Sequence, residues 1–173
     1  TELQLKDLET TEKGSEIPET QLLAKKPVIY LLNADPKEVS QELLAKIKGA
    51  VVANLRDELE MQSLSNEERK ELGFASQLPE LIKKAYEILN LITFFTTGLD
   101  ETRAWTITEG STAPQAGGRI HSDFEEKFIR AEVIHWDMLL EAGSWAAARE
   151  SGKLKTVGRD YVMRDGDVIE IKI

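Results

Sequence analysis

Residues 103–133 read RAWTITEGSTAPQAGGRIHSDFEEKFIRAEV, and the local instructions in this stretch decide the fold of the second half of the chain. Thr112 followed by Gln115 is a capping-box pattern. Pro114 falls in the first turn, where its missing N–H costs nothing, so a helix is expected to begin at Ala113. Ser122 followed by Glu125 repeats the pattern. Between them Gly117 and Gly118 each weaken a helix by up to about 1 kcal/mol relative to Ala, which predicts a close backbone approach or a break near His121. Beyond the break, Ile129, Ala131 and Val133 alternate with Arg130 and Glu132, the period of a half-buried strand. The stretch therefore reads as strand (Ala104–Thr108), turn at Gly110, helix, short helix, strand.

Working outward, Ile92–Thr96 and Ala104–Thr108 are β-rich around Gly98 and predict a hairpin. Trp136–Ser151 is compatible with a helix. Tyr161–Met163 and Val168–Ile173 flank Arg164-Asp165-Gly166-Asp167, whose Asp-Gly is a hairpin signal. Strand, strand, helix, strand and a final strand pair is β-grasp order. The first half has another pattern. The run VIYLL from Val28 is β-branched and continuous, as expected of a strand covered on both faces of a parallel sheet, and it ends at the turn signal Asn33-Ala34-Asp35-Pro36. Val39, Leu43, Leu44 and Ile47 recur at helical spacing before Gly49, and Ala50–Ala53 makes a second strand, which completes a βαβ unit. A capping box at Ser65 and Glu68 and an apolar stripe from Leu78 to Leu89 predict two further helices. Two parallel strands make a poor sheet alone, so more of this domain, or a partner, is expected. Residues 1–20 read as a frayed helix end and a breaker-rich linker.

The composition sets limits. The chain has 173 residues, of which 41% are hydrophobic, and a formal net charge of −9. That charge argues against binding nucleic acid over the whole surface, so any RNA contact must use a local patch. There are no cysteines, which excludes disulfides and thiolate metal sites and is compatible with a reducing compartment. No apolar run reaches the roughly 18 residues of a membrane span, and the start TELQLKDLETTEKG has no signal-peptide core, so a cytoplasmic location is expected. The first residue is Thr, and the expectation is that the chain belongs to a longer product.

The residues RAWTI, TAPQAGGRIHSDFEEKFIRAEV and GRDYVMRDGDVIEIKI closely resemble the C-terminal TGS domain of the Obg-like ATPases of the YchF type. The resemblance runs from about Leu89 to Ile173. It extends more loosely back to about Gln21, where LLAKKPVIYLLN is similar to the last part of that family's nucleotide-binding domain. It implies a mixed α/β and α+β chain: residues 21–90 as the end of a P-loop-type α/β domain, and residues 91–173 as a β-grasp TGS domain.

Ligands of open α/β sheets bind beyond the carboxyl ends of the strands. Asn33-Ala34-Asp35 and Asn54-Leu55-Arg56 occupy two such ends. An amide offers a donor and an acceptor and a carboxylate accepts N–H groups, which suits a purine edge, although plain turns use the same residue types. The strand ends make Asn33, Ala34, Asp35, Asn54 and Leu55 candidates for binding the base of ATP or GTP, and the resemblance implies that role for Asn33 and the Ala34 backbone. The family's Asn-x-x-Glu motif has Pro36 at the Glu position here, with an acid beside it at Asp35, which leaves base preference open. No G-x-x-x-x-G-K-[ST] occurs in the sequence. The cradle, lysine and magnesium-binding hydroxyl of a P-loop are thus missing, so these residues alone are not expected to hydrolyse nucleotide; Mg²⁺ and the P-loop half would come from the rest of a parent enzyme.

His121, Asp123, Glu125 and His135 are candidate metal ligands on paper, but a cap and a helix first turn account for them better. Trp105, Trp136, Trp145, Phe94, Phe95 and Phe128 read as core rather than stacking platforms. Among the basic residues, Arg103, Arg119 and Arg130 are expected to converge as a contact for ribosome or structured RNA, because the family associates with ribosomes; a solvated mixed surface competes with that reading. A non-enzymatic interaction module that has lost nucleotide is the alternative function.

Overall fold

The structure is a computed structural model that describes residues 4–6, 22–47, 49–98 and 101–173. The linker expected in residues 1–20 lies outside the described residues apart from a helical stretch at 4–6. The chain divides into two compact units, Thr1–Ile88 and Leu89–Ile173.

In the first unit, β1 (Leu31–Asn33) pairs in parallel with β2 (Val51–Ala53), so that Asn33 stands opposite Ala53. Between them lies α1 (Gln41–Lys46), whose N-cap Ser40 accepts a hydrogen bond from Leu43 N–H. After β2 come α2 (Leu55–Glu60), α3 (Asn66–Glu71) and α4 (Leu78–Ile88). The Ser65 capping box forms in full: Glu68 N–H donates to Ser65 Oγ and Ser65 N–H to the Glu68 carboxylate. Both β2 residues Val51 and Ala53 are 1% exposed. The expected long strand covered on both faces does not form. The VIYLL run is strand only from Leu31, and Val28, Tyr30 and Leu31 are exposed. With one ladder partner among the described residues, β1 is an edge, and Leu31 is exposed while Leu32 is half-buried.

The second unit is a five-stranded mixed sheet in the order β4-β3-β7-β5-β6, built from β3 (Leu91–Thr97), β4 (Thr102–Thr108), β5 (Arg130–His135), β6 (Lys155–Val157) and β7 (Asp167–Lys172). The central pair β3–β7 is parallel and the other pairs are antiparallel. The expected hairpin of β3 and β4 is present, in the register Phe94 opposite Trp105. Helix α5 spans Ala113–Ile120, starting where Thr112 and Gln115 place it: Thr112 N–H donates to Gln115 Oε1 at 2.8 Å. The helix stops at His121, whose backbone is extended, and α6 (Ser122–Glu126) follows. The second cap differs from the expected Ser122: the His121 ring Nδ1 accepts the Asp123 N–H instead.

Two apolar clusters hold the sheet. On one face Ile92, Phe94, Ile107, Ala131, Val133 and Ile169 pack with Ala113 and Ala116 of α5. On the other, Ile134 and Val168 pack with α7 (Trp136–Ala142) and α8 (Trp145–Glu150) through Ala148, Leu139 and Trp145. These helices are the region read as one helix-compatible run, divided by Gly143 at φ 77°. Strand β5 is accordingly apolar toward both faces, which simple alternation did not predict. The expected final hairpin is also corrected. Tyr161–Met163 pairs with the entry to α5, where Ala113 N–H donates to Tyr161 O and Met163 N–H to Ser111 O, while β7 lies between β3 and β5. The Asp165-Gly166 turn is held instead to β3: Thr93 N–H donates to Asp165 Oδ1 and Gly166 N–H to Thr93 O, both at 2.8 Å.

Gly117 supplies the close approach expected of the glycine pair. A Cβ there would lie 3.0 Å from Phe124 O and 3.1 Å from Ile171 Cδ1, whereas at Gly118 it would meet the flexible end of the Glu125 side chain. Gly117→Val is therefore expected to destabilise this unit by about 1–3 kcal/mol through overpacking. Gly118→Ala should be nearly neutral, since Glu125 can swing away and helix propensity improves. Thermal unfolding of the two variants side by side checks the contrast; equal shifts would remove the special role of Gly117.

Candidate functional site

The parallel register brings the carboxyl ends of β1 and β2 together. Asn33 Oδ1 accepts the Leu55 N–H at 3.0 Å, and Ala34 N–H donates to Ala53 O at 3.2 Å. Asn54 caps α2: its Oδ1 accepts from Arg56 N–H and Asp57 N–H, and its Nδ2 donates to Asp57 Oδ2 at 2.8 Å. Asp35 Oδ1 accepts Lys37 N–H at 2.8 Å. Beside these groups lies a cavity of about 220 Å³, lined by Asp35, Pro36, Asn54, Asp57, Glu58 and Gln77 among others. Of the five residues singled out for base binding, Asp35 and Asn54 line this cavity, whereas Asn33, Ala34 and Leu55 form the strand-end framework next to it. Three carboxylates, Asp35, Asp57 and Glu58, stand at its wall beside Lys37, and each already accepts a hydrogen bond from within the unit.

Glu58 was not foreseen. It is only 8% exposed and takes the Ser76 hydroxyl on Oε2 and the Gln77 N–H on Oε1, tying α2 to the turn that opens α4. Its sequence signal is weak, because Arg56-Asp57-Glu58-Leu59-Glu60 within a charged helix looks like solvated surface.

The three arginines separate. Arg103 shares its strand face with Trp105 and Ile107, the α5 side, and its guanidinium sits 4.5 Å from the Trp105 ring centroid. Arg119 lies on α5 and donates from Nε to Thr106 O at 3.2 Å, beside the same strand. Arg130 shares its face with Ile134, on the opposite side of the sheet. Convergence of all three fails because the alternation of β5 turns Arg130 away from the α5 side. All three remain exposed. Nor is the sheet open on one side, since α7 and α8 occupy part of that face. The link to α8 is ionic: Arg149 Nη2 lies 2.5 Å from Glu132 Oε2 and 3.7 Å from Glu170 Oε2, and its hydrogen bond holds the Glu132 carboxyl below its usual range.

His121 and His135 have local duties. The second donates from Nδ1 to Asp137 Oδ1, 2.6 Å away, and Asp137 is held below the usual range chiefly by that bond. Among the described residues no group of three or more His, Cys, Asp or Glu is arranged to hold a metal, and no helix is long and apolar enough to cross a membrane. Of the aromatics, Phe94 and Phe128 are buried and Trp105, Phe95 and Trp145 pack on the clusters, but Trp136 is 48% exposed.

Residues 91–173 match the family model YchF-GTPase_C, described as a protein of unknown function (DUF933). The ribosome-binding ATPase YchF of Bacillus subtilis is 39% identical over 94% of this chain, and Obg-like ATPase 1 of Homo sapiens is 42% identical over 87%. This chain belongs to the YchF family. The solved YchF GTPase of Schizosaccharomyces pombe superposes with a TM-score of 0.76 at 38% identity, covering 87% of this chain and 44% of that one. A GTP-binding protein of Pyrococcus horikoshii, 18% identical with a TM-score of 0.53, shares the fold. The chain spans about half the length of these YchF relatives, 49% of the bacterial and 42% of the human protein.

Proposed function

We propose that this chain supplies two parts of a YchF-type, ribosome-associated, nucleotide-binding protein. Residues 21–90 form the base side of an ATP or GTP site, and residues 91–173 are a TGS domain of β-grasp fold that docks on the ribosome or structured RNA. The observation that carries the first part is the meeting of both strand ends at Asn33–Leu55, beside the acidic cavity of Asp35 and Asn54. The β-grasp reading is supported by the parallel β3–β7 pair at the centre of the sheet with α5 across one face. The residues present fit only half of the cofactor. Amide and carboxylate groups suit the base, while the sequence holds no P-loop for the phosphates and their Mg²⁺. The phosphate side is therefore assigned to a P-loop-bearing half of the nucleotide-binding domain, and the exposed residues Val28 and Tyr30 before β1, with Leu31 in it, offer the surface on which it would complete the sheet.

The test uses a form of the protein that carries the P-loop. Asn33→Ala removes the anchor of the Leu55 N–H and is expected to weaken ATP or GTP binding about tenfold, the order of one hydrogen bond, by titration calorimetry. Unchanged affinity would end the base-side assignment.

A second reading, a non-enzymatic TGS module, draws on two observations: Asn33 Oδ1 is already engaged within the protein, and Pro36 stands where the family has Glu. Both readings assign the docking role to the second unit, with Arg103 and Arg119 on one side of the sheet and Arg130 on the other. Ribosome co-sedimentation of the chain at low and moderate salt, beside a folded Arg103/Arg119/Arg130→Glu variant, should show salt-dependent pelleting that the reversal abolishes. Equal pelleting would leave the arginines as ordinary surface.

A further inference from the structure

Three basic residues other than the arginines discussed above, Lys153, Lys155 and Arg164, share a cleft. At the end of the second unit's sheet where β5 finishes and β6 and β7 begin, a cavity of about 320 Å³ is lined by His135, Asp137, Lys153, Lys155, Tyr161, Arg164 and Asp167. Three cations thus face two carboxylates, and both carboxylates are already engaged by the protein. Asp167, 4% exposed, accepts the Tyr161 O–H and the Arg164 N–H on Oδ2, each at 2.9 Å. Asp137 is taken by His135 Nδ1 and the Met138 N–H. Lys153 makes a 3.3 Å contact with Glu141, whose side chain is largely exposed. Neither Lys155 nor the Arg164 guanidinium stands in an ion pair among the described residues. Their charge is the part of the cleft that the fold does not use. The cavity lies at the lower end of volumes that hold a small ligand, enough for a single nucleotide unit.

We propose that this cleft is a phosphate site, with Lys155 and Arg164 gripping the phosphate of one nucleotide unit and Lys153 adding charge at its rim. Arginine supplies the planar fork that phosphate oxygens accept, and the lysine a flexible point charge. His135 turns Nδ1 to Asp137, and its ring lines the same cleft. The phosphate comes either from an RNA backbone, in which case the site rests on the ribosome or RNA reading above, or from a free mononucleotide.

The experiment titrates the 173-residue chain with a labelled single-stranded oligoribonucleotide by fluorescence anisotropy across a salt series, and with AMP by calorimetry. The Lys155→Glu/Arg164→Glu variant, verified as folded by circular dichroism, is compared with Lys70→Glu/Lys83→Glu, two exposed lysines of the first unit outside both proposed sites, which has the same net charge. The pocket variant is expected to lose at least about tenfold in RNA affinity at low salt, with a salt slope shallower by roughly one to two. Equal losses in the two variants would mean that only net charge matters and would overturn the site. RNA binding by the parent chain that the pocket variant retains overturns the site but spares the RNA reading. AMP binding lost in the pocket variant, without RNA binding in the parent chain, supports the cleft as a mononucleotide site and removes the RNA reading. Binding of neither ligand overturns the proposal.

Discussion

Phe94→Ala is expected to destabilise the second unit by about 3–5 kcal/mol, the usual range for truncating a buried aromatic. Phe94 is fully buried at the middle of β3, next to the parallel β3–β7 pair and under α5. Its neighbours Ile92, Ile107 and Ile169 stand on three different strands whose backbones are fixed by ladders, so the cavity cannot close by a small shift. A domain of this size typically has only about 5–15 kcal/mol in hand, so the loss takes a large share of it. Phe94→Leu keeps most of the volume and should cost roughly half as much. Urea unfolding followed by circular dichroism gives both values; a Phe94→Ala midpoint within error of the unsubstituted chain would show that the core is centred elsewhere.

The same residue shows what the sequence could reveal. Local signals were legible wherever two neighbouring residues decide the matter alone. The Thr112–Gln115 and Ser65–Glu68 boxes start helices where they stand, because the bonds close within one turn. The Ile92–Thr108 hairpin needed only β propensity and a break. Sites decided by residues far apart in sequence were not legible. Glu58 reads as surface until Ser76 and Gln77, 18 and 19 positions away, come to its carboxylate. Arg130 lies on the wrong side of the sheet for a shared patch because β5 is buried on both faces, and α7 and α8, which bury the second, carry too short a stripe for periodicity to announce it. The Asp-Gly turn was correctly a turn, but its partner strand was not its neighbour in sequence: a parallel β3–β7 pair is a contact across 73 residues. The meeting of the strand ends at Asn33 and Asn54 was legible because it depends on topology, which the βαβ pattern reveals. The carboxylates beside them were not, because Asp57 and Glu58 belong to a charged helix that the sequence alone does not seat against the cavity.

Asp167→Ala should have the second largest effect, and its signature is spectroscopic as well as thermodynamic. Among the described residues the buried carboxylate accepts the Tyr161 hydroxyl and also holds the Arg164 N–H, so its removal leaves two donors facing a pocket wall without that acceptor. Each such orphan costs about 1–3 kcal/mol, and water entering from the cleft side offsets part of the loss. Burial first, and then the bond and charge of Asp167, push the Tyr161 phenol up to about 12. A group whose pKa is raised on folding contributes stability that is complete below its unfolded value, near 10, and that disappears as pH rises through the folded value of about 12. The unsubstituted chain should therefore lose stability over that alkaline window, and ultraviolet titration should show one of its three tyrosines ionising near pH 12. In Asp167→Ala the phenol keeps the effect of burial but loses the carboxylate's, so its titration must move down toward the ordinary tyrosine range. Asp167→Asn, which retains an acceptor oxygen without the charge, should fall between the two in both stability and titration. A late-ionising tyrosine that does not respond to either substitution would show that burial alone sets Tyr161, and that Asp167 holds the turn through the Arg164 N–H and nothing more.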